Sequence, residues 1–328
     1  MRNDYGMRVI DRGRASLDRL GHEIDEADPG GSVLPRSRVL CAGLAELAAG
    51  VLGTLGPLER EPEVTDLAAS LSLLTKIDDE VIDSLVFHGG SKTDRESLRE
   101  KTKNFLNETW LSIEACEPHS REPRCLLAAR VGRRMRALAA SEASLMALLD
   151  LVRDGWQTQV DAVASLTDHS QQVDRAEIDR ITRRISGDWL ALIAACGTLP
   201  SGSHLSREEV EAIRDAGAFI QRADSLADLE KDQREGLTST WAACEIARLA
   251  PASSLPAMYR SASLLDLERR AWPSVAALTC MRHQLARFPD LLQALEWIRL
   301  MLLSRYRAHA LYVMSPSQEP GGVACGER

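Results

Sequence analysis

Two short acidic segments carry the residues best suited to chemistry. In the first, Asp78-Asp79-Glu80-Val81-Ile82-Asp83, Asp79 and Asp83 stand four apart and share one helix face. Two carboxylates one turn apart repel each other. A hard divalent cation offsets that repulsion, and Mg²⁺ favours one or two carboxylates completed by water and substrate phosphate. Ala68, Ser72 and Thr75 lie on the same face below the pair, and Leu67, Leu71, Leu74 and Val81 form an adjoining apolar face. This pattern could line a cavity with acid at its rim. In the second segment Asp224, Asp228 and Asp232 recur at i, i+4 and i+8, within an arc of about 80° on a helix. Gln221 shares that face one turn earlier, no base interrupts it, and Phe219, Ala223 and Leu226 supply a packing side. Either cluster alone reads equally as a solvated acidic face. Two of them in one chain point to a pair of helices that hold metal between them.

The elements that must position these acids are helices. Apolar residues recur with a period near 3.6 and strand-like alternation is nearly absent. Helices are expected at roughly 37–54, 63–86, 93–115, 123–140, 142–166, 174–198, 206–234, 238–250, 256–270, 276–286 and 289–312. Gly56-Pro57, Gly89-Gly90, Pro118, Pro200 with Gly202, Gly236, Pro251 and Pro289 punctuate them. Pro123 suits a first helical turn, where a missing N–H costs nothing, and Ser206-Arg207-Glu208-Glu209 reads as a capping start. The expected fold is all-α, a single large helical bundle whose sites lie between facing helices. Residues 1–36 and 315–328 read as flexible segments flanking one domain at 37–314.

Composition narrows the function. The 328 residues are 45% hydrophobic and 27% charged, ordinary for a globular protein. A net charge of −8 argues against nucleic acid as a partner, because phosphate binding needs a basic face. Met1–Arg19 is Arg-rich without an apolar run, so no secretory signal is expected. The stretch Val39–Leu58 is interrupted by Glu46, Gly43, Gly50, Gly53 and Gly56 and reads as a core helix rather than a membrane span. Seven cysteines without a CxxC pair fit reduced thiols in the cytoplasm.

With these motifs in view, the chain resembles the class I isoprenoid synthase superfamily. Asp79-Glu80-Val81-Ile82-Asp83 resembles its first aspartate-rich motif, D(D/E)xxD. Ile220-Gln221-Arg222-Ala223-Asp224 is similar to the LQxTN of squalene and phytoene synthases, and Asp224, Asp228, Asp232 and Gly236 keep the spacing of their NxxxDxxxD…G pattern. Thr182-Arg183-Arg184-Ile185-Ser186-Gly187 resembles the end of their YxxxVAG segment. Asp224 stands in place of Asn, Ala227 in place of Arg, and the tyrosines of YxxxVAG are missing. Other features resemble bacterial terpene cyclases. The acid triad matches the spacing of NxxxSxxxE, Arg183 with Ser186-Gly187 resembles their helix break, and Arg305-Tyr306 resembles their C-terminal diphosphate-binding pair.

The resemblance implies an isoprenoid synthase fold with a central cavity, and Mg²⁺ bound as three ions by Asp79, Asp83, Asp224, Asp228 and Asp232. It implies catalytic roles for Arg183, Gly187, Arg305 and Tyr306. The expected activity is a terpene synthase or cyclase that ionises an allylic C15 or C20 prenyl diphosphate. A squalene- or phytoene-synthase-like prenyltransferase is the nearest alternative, and a non-catalytic helical scaffold is the alternative of another class. Arg184, Arg222 and Lys231 are further candidates for binding diphosphate oxygens, which arginine meets with paired, charge-assisted hydrogen bonds. Gln221 completes the polar wall. Trp189 and Phe219 are the preferred pocket aromatics, since π faces steady cations, although aromatic residues are only 4% of the chain. A homodimer is the family-level expectation, with a prenyl diphosphate as the only ligand and no membrane span.

Overall fold

The computed structural model describes residues 11–16, 18–21, 25–26, 48–52, 58–88, 95–166, 174–229, 240–249 and 263–288, with single positions at 291, 295 and 304. The helices with defined bounds are α1 (Glu61–His88), α2 (Arg95–Ala115), α3 (Pro123–Leu138), α4 (Glu142–Leu166), α5 (Arg175–Thr198), α6 (Arg207–Ala227), α7 (Trp241–Leu249), α8 (Ser263–Arg270) and α9 (Val275–Gln284). No strand occurs among the described residues, so the chain is an all-α bundle. None of the described helices is long and apolar enough to cross a membrane.

Local chemistry sets the helix starts. Ser206 caps α6 through a full capping box. Its Oγ accepts the Glu209 N–H at 3.1 Å, and its own N–H donates to Glu209 Oε2 at 2.8 Å. Asp174 caps α5 by accepting the Ala176 N–H, and Pro123 occupies the first turn of α3. Each helix then turns an apolar stripe inward. On α1 this stripe is Val64, Leu67, Ala68, Leu71 and Leu74, all buried. On α5 it includes Ile178, Ile181, Leu190, Ile193 and Ala194, and on α6 Val210, Ile213, Ala216, Ile220 and Ala223. Apart from Ile178, Ile181 and Ala223, the residues of these stripes merge into one core.

Helix α5 is the centre of the assembly. It packs against α6 most extensively, then against α4 and α1, while α2 joins α3 and α4, and α7 and α9 lean on α6. Part of the segment expected to be flexible is docked. Residues 11–16 and 18–21 are helical, Ser16 Oγ and the Arg19 guanidinium bond to Asp66 on α1, and Leu20 is buried.

Two crossings bring backbones into direct contact. A Cβ on Gly217 would lie 2.4 Å from the Gly187 Cα and N, and one on Gly187 would lie 2.6 Å from the Arg214 Cα. A Cβ on Gly132 of α3 would lie 2.1 Å from the Ile113 carbonyl oxygen of α2. Gly187 was expected at a helix break. Instead α5 runs through it without interruption, and the glycine serves the close approach of α6. Gly217→Ala should therefore force the two helices apart and lower stability by about 1–3 kcal/mol. At Gly155 on α4 the nearest atoms to an added Cβ are 3.8 Å away, so Gly155→Ala should instead stabilise by roughly 0.5–1 kcal/mol. Urea unfolding midpoints of the two variants should move in opposite directions.

Candidate active site

Helices α5 and α6 are joined by the short connection 199–206 and run in opposite directions. Their glycine crossing fixes the spacing, and beyond it the pair opens into a cavity of about 130 Å³. One wall is polar: Gln221, Asp224, Ser225 and Asp228 from the end of α6, with Thr182 of α5 and Thr240. The other is apolar: Ile178, Ile181 and Ile185 of α5, with Trp241 at the start of α7. The second acidic segment thus contributes two of its carboxylates, and the expected Gln221, to one cavity.

The polar wall is held in position by named bonds. Ser186 Oγ donates to Gln221 Oε1 at 2.7 Å, which leaves the carboxamide NH₂ as a donor. Ser225 Oγ accepts the Ala242 N–H at 3.0 Å, which ties α7 to α6 beside Trp241. The Asp228 N–H donates to the Asp224 carbonyl oxygen at 2.9 Å and closes the last turn.

One expectation about this wall is corrected. The acids were read as a ladder on a helix running from 206 to 234, but α6 ends at Ala227 and Asp228 is its C-cap, with φ −96° and ψ 2°. Carboxylates gather at the negative pole of the helix, where the macrodipole opposes anions, so nothing electrostatic favours continuing the helix through them. Their crowding at a helix C-terminus also makes this end of the cavity attractive to a cation.

Other candidates fall elsewhere. Asp79 and Asp83 lie on α1, but their side chains, and all of Lys231, Asp232, Arg305 and Tyr306, lie outside the described residues. The Arg183 guanidinium is held by Glu211 and Asp215 of α6 and borders a separate open groove between α5, α6 and α9. Phe219 borders that groove too, tilted against Trp272 with ring centres 5.9 Å apart. Arg222 also borders it, with its guanidinium 5.4 Å from the Phe219 ring centre, 5.7 Å from that of Trp241 and 3.9 Å from Asp179. Burial pulls the Arg222 pKa below its ordinary value, against the pull of Asp179 and Glu245. Arg184 binds Asp188. Trp189 lines a second, smaller cavity of about 30 Å³ with Leu71 and Thr75 of α1, Val152 and Trp156 of α4, and Leu192. Its Nε1 donates to Ser72 Oγ at 3.1 Å.

No protein-family model and no curated protein matches this chain. The roles of its residues therefore rest on their own geometry.

Among the described residues no three His, Cys, Asp or Glu side chains gather as a metal-holding group. The described donors are two carboxylates and a carboxamide on one small cavity. That set fits Mg²⁺, which takes one or two carboxylates and completes its shell with water and phosphate oxygens.

Behind the cavity lies a buried ionic network that the sequence did not announce. Asp188, only 3% exposed, accepts Arg214 Nε at 2.6 Å, Arg184 Nε at 3.1 Å and Thr158 Oγ1 at 2.8 Å. It therefore fastens α4, α5 and α6 at one point. Arg214 continues to Glu211, which also receives Arg183. Burial alone would raise the Glu211 carboxyl, but the hydrogen bonds and charges of Arg183 and Arg214 outweigh it and hold the pKa below the ordinary 4.5. A carboxyl depressed in the folded state contributes stability above its unfolded pKa and loses it as pH falls through the folded one. Wild type should therefore lose stability relative to Glu211→Gln as pH drops from about 5 toward 3. Urea midpoints at stepped pH should converge on the acid side, and parallel curves would remove Glu211 from the acid response.

Proposed function

We propose that the chain is a Mg²⁺-dependent class I terpene synthase acting on an allylic prenyl diphosphate. The observation that carries this reading is the two-faced cavity in which Gln221, Asp224 and Asp228 look across at Ile178, Ile181 and Ile185. A ligand that fits it has a metal-binding anionic head and an apolar body. Asp224 and Asp228 would hold the metal, and the Gln221 NH₂, oriented by Ser186, would donate to a diphosphate oxygen. When bound there, Mg²⁺ supplies the positive charge that makes diphosphate a good leaving group. The isoleucines exclude water that would quench an allylic cation, and Trp241 adds π surface beside it. The acids of α1, whose D(D/E)xxD spacing suits the same metal, are the proposed opposite wall.

The test has two steps. Mg²⁺ with inorganic diphosphate should raise the melting temperature, because only the folded state offers the site. At a hundredfold excess over Kd the gain is about 2.7 kcal/mol. Incubation with C10, C15 and C20 prenyl diphosphates should then release diphosphate and a terpene. A product of doubled chain length would move the assignment to head-to-head condensation. Neither a thermal shift nor a product would leave a non-catalytic scaffold.

A further inference from the structure

We infer that Ile185 is the partition that sets the length of apolar chain this site accepts. The inference rests on the function proposed above and deepens it. Ile185 lines both the acid-bearing cavity and the cavity beside Trp189, and among the described residues it is the one common to the two walls. The two hollows follow one stripe of α5. Ile178, Ile181 and Ile185 border the first, and Ile185, Trp189 and Leu192 border the second. From Ile185 to Leu192 the stripe runs about 10 Å along the helix.

Volume makes the partition matter. The first cavity is about 130 Å³ and the second about 30 Å³. Neither reaches the roughly 300 Å³ of a small-molecule site. Among the described residues, an apolar chain whose head is held at Asp224 and Asp228 can extend inward past Ile185, toward Trp189, Leu192 and Leu71. That second chamber is lined mainly by apolar side chains, with Thr75, Gln159 and Asp188 as its polar members, and its Trp189 indole N–H is already satisfied by Ser72.

The backbone that follows Ile185 is pinned. Ser186 is bonded to Gln221, Gly187 lies against α6, and Asp188 is tied to Arg214, Arg184 and Thr158. The helix cannot shift to make room, so the size of this one side chain sets the opening. Ile185→Ala removes most of the partition, and Ile185→Phe thickens it.

The experiment measures kcat/KM of the full chain with Mg²⁺ for geranyl, farnesyl and geranylgeranyl diphosphate. Ile185→Ala should move the preference toward the longer substrates, changing the longer-to-shorter ratio by about tenfold, the low end of the discrimination expected of one methylene in an apolar pocket. Ile185→Phe should move it the other way. A merely structural role would lower all three substrates together. Ratios within twofold of wild type in both variants would overturn the inference while leaving the proposed activity standing. Wild type inactive on all three and unshifted by Mg²⁺ and diphosphate would overturn both. Melting curves are recorded for each variant. Should Ile185→Ala fail to fold, Ile185→Val provides the same reading, and an unchanged ratio there counts against the inference.

Discussion

Asp188→Ala is expected to lower the stability of the fold by about 3 kcal/mol, near the bottom of the range for breaking a buried ion pair. The cost comes from Arg214. It is 9% exposed, and without Asp188 it would keep only Glu211 and Asp154, both well exposed, as counter-charges. Thr158 and Arg184 would lose an acceptor in the same step. Urea denaturation should show a lower midpoint with an unchanged slope. Asp188→Asn, which keeps the shape and drops the charge, should fall between. Replacing both partners by apolar residues, Asp188→Leu with Arg214→Met, should recover much of the loss, since the penalty lies in the orphaned charge rather than in the missing attraction. A loss below about 0.5 kcal/mol for Asp188→Ala would mean that water reaches this point freely.

The other large effect is on turnover. Asp224→Asn and Asp228→Asn should each lower Mg²⁺-dependent turnover of a prenyl diphosphate on the order of 10²–10³-fold, the scale of losing one preorganised group that stabilises developing charge. The melting temperature without metal should stay level or rise, because each change removes a negative charge from a helix C-terminus. The increment from Mg²⁺ and diphosphate should vanish. Full activity in both variants would remove the α6 acids from the chemistry.

The helices were largely legible from the sequence. Stripes such as Val64, Leu67, Leu71 and Leu74 repeat at the helical period, and the starts at Pro123, Asp174 and Ser206 carry side chains whose capping bonds the structure shows for Asp174 and Ser206. Gathering Gln221, Asp224 and Asp228 on one face was also legible, because a spacing of three or four is a statement about direction. What could not be read was anything that depends on which helix lies opposite. Gly187 signalled local freedom, whereas its use is the approach of Gly217 thirty residues later. Asp188 sits amid Trp189, Leu190 and Ala191 with no periodic cue to its partner on α6. Trp241 is positioned by a bond from Ser225 to the backbone of Ala242, a pairing no motif encodes. The end of α6 at Ala227 was missed because no glycine or proline marks it.

Glycine against glycine at the α5–α6 crossing also bears on how the protein would move. Bare backbone leaves no side-chain cushion to compress, and Asp188 locks the same seam electrostatically. This side of the hollow is a fixed jaw. On the other flank α7 is tied to α6 through Ser225, and its Glu245 pairs with Arg175 of α5 and Arg270 of α8. Amide exchange should accordingly be slowest along the seam.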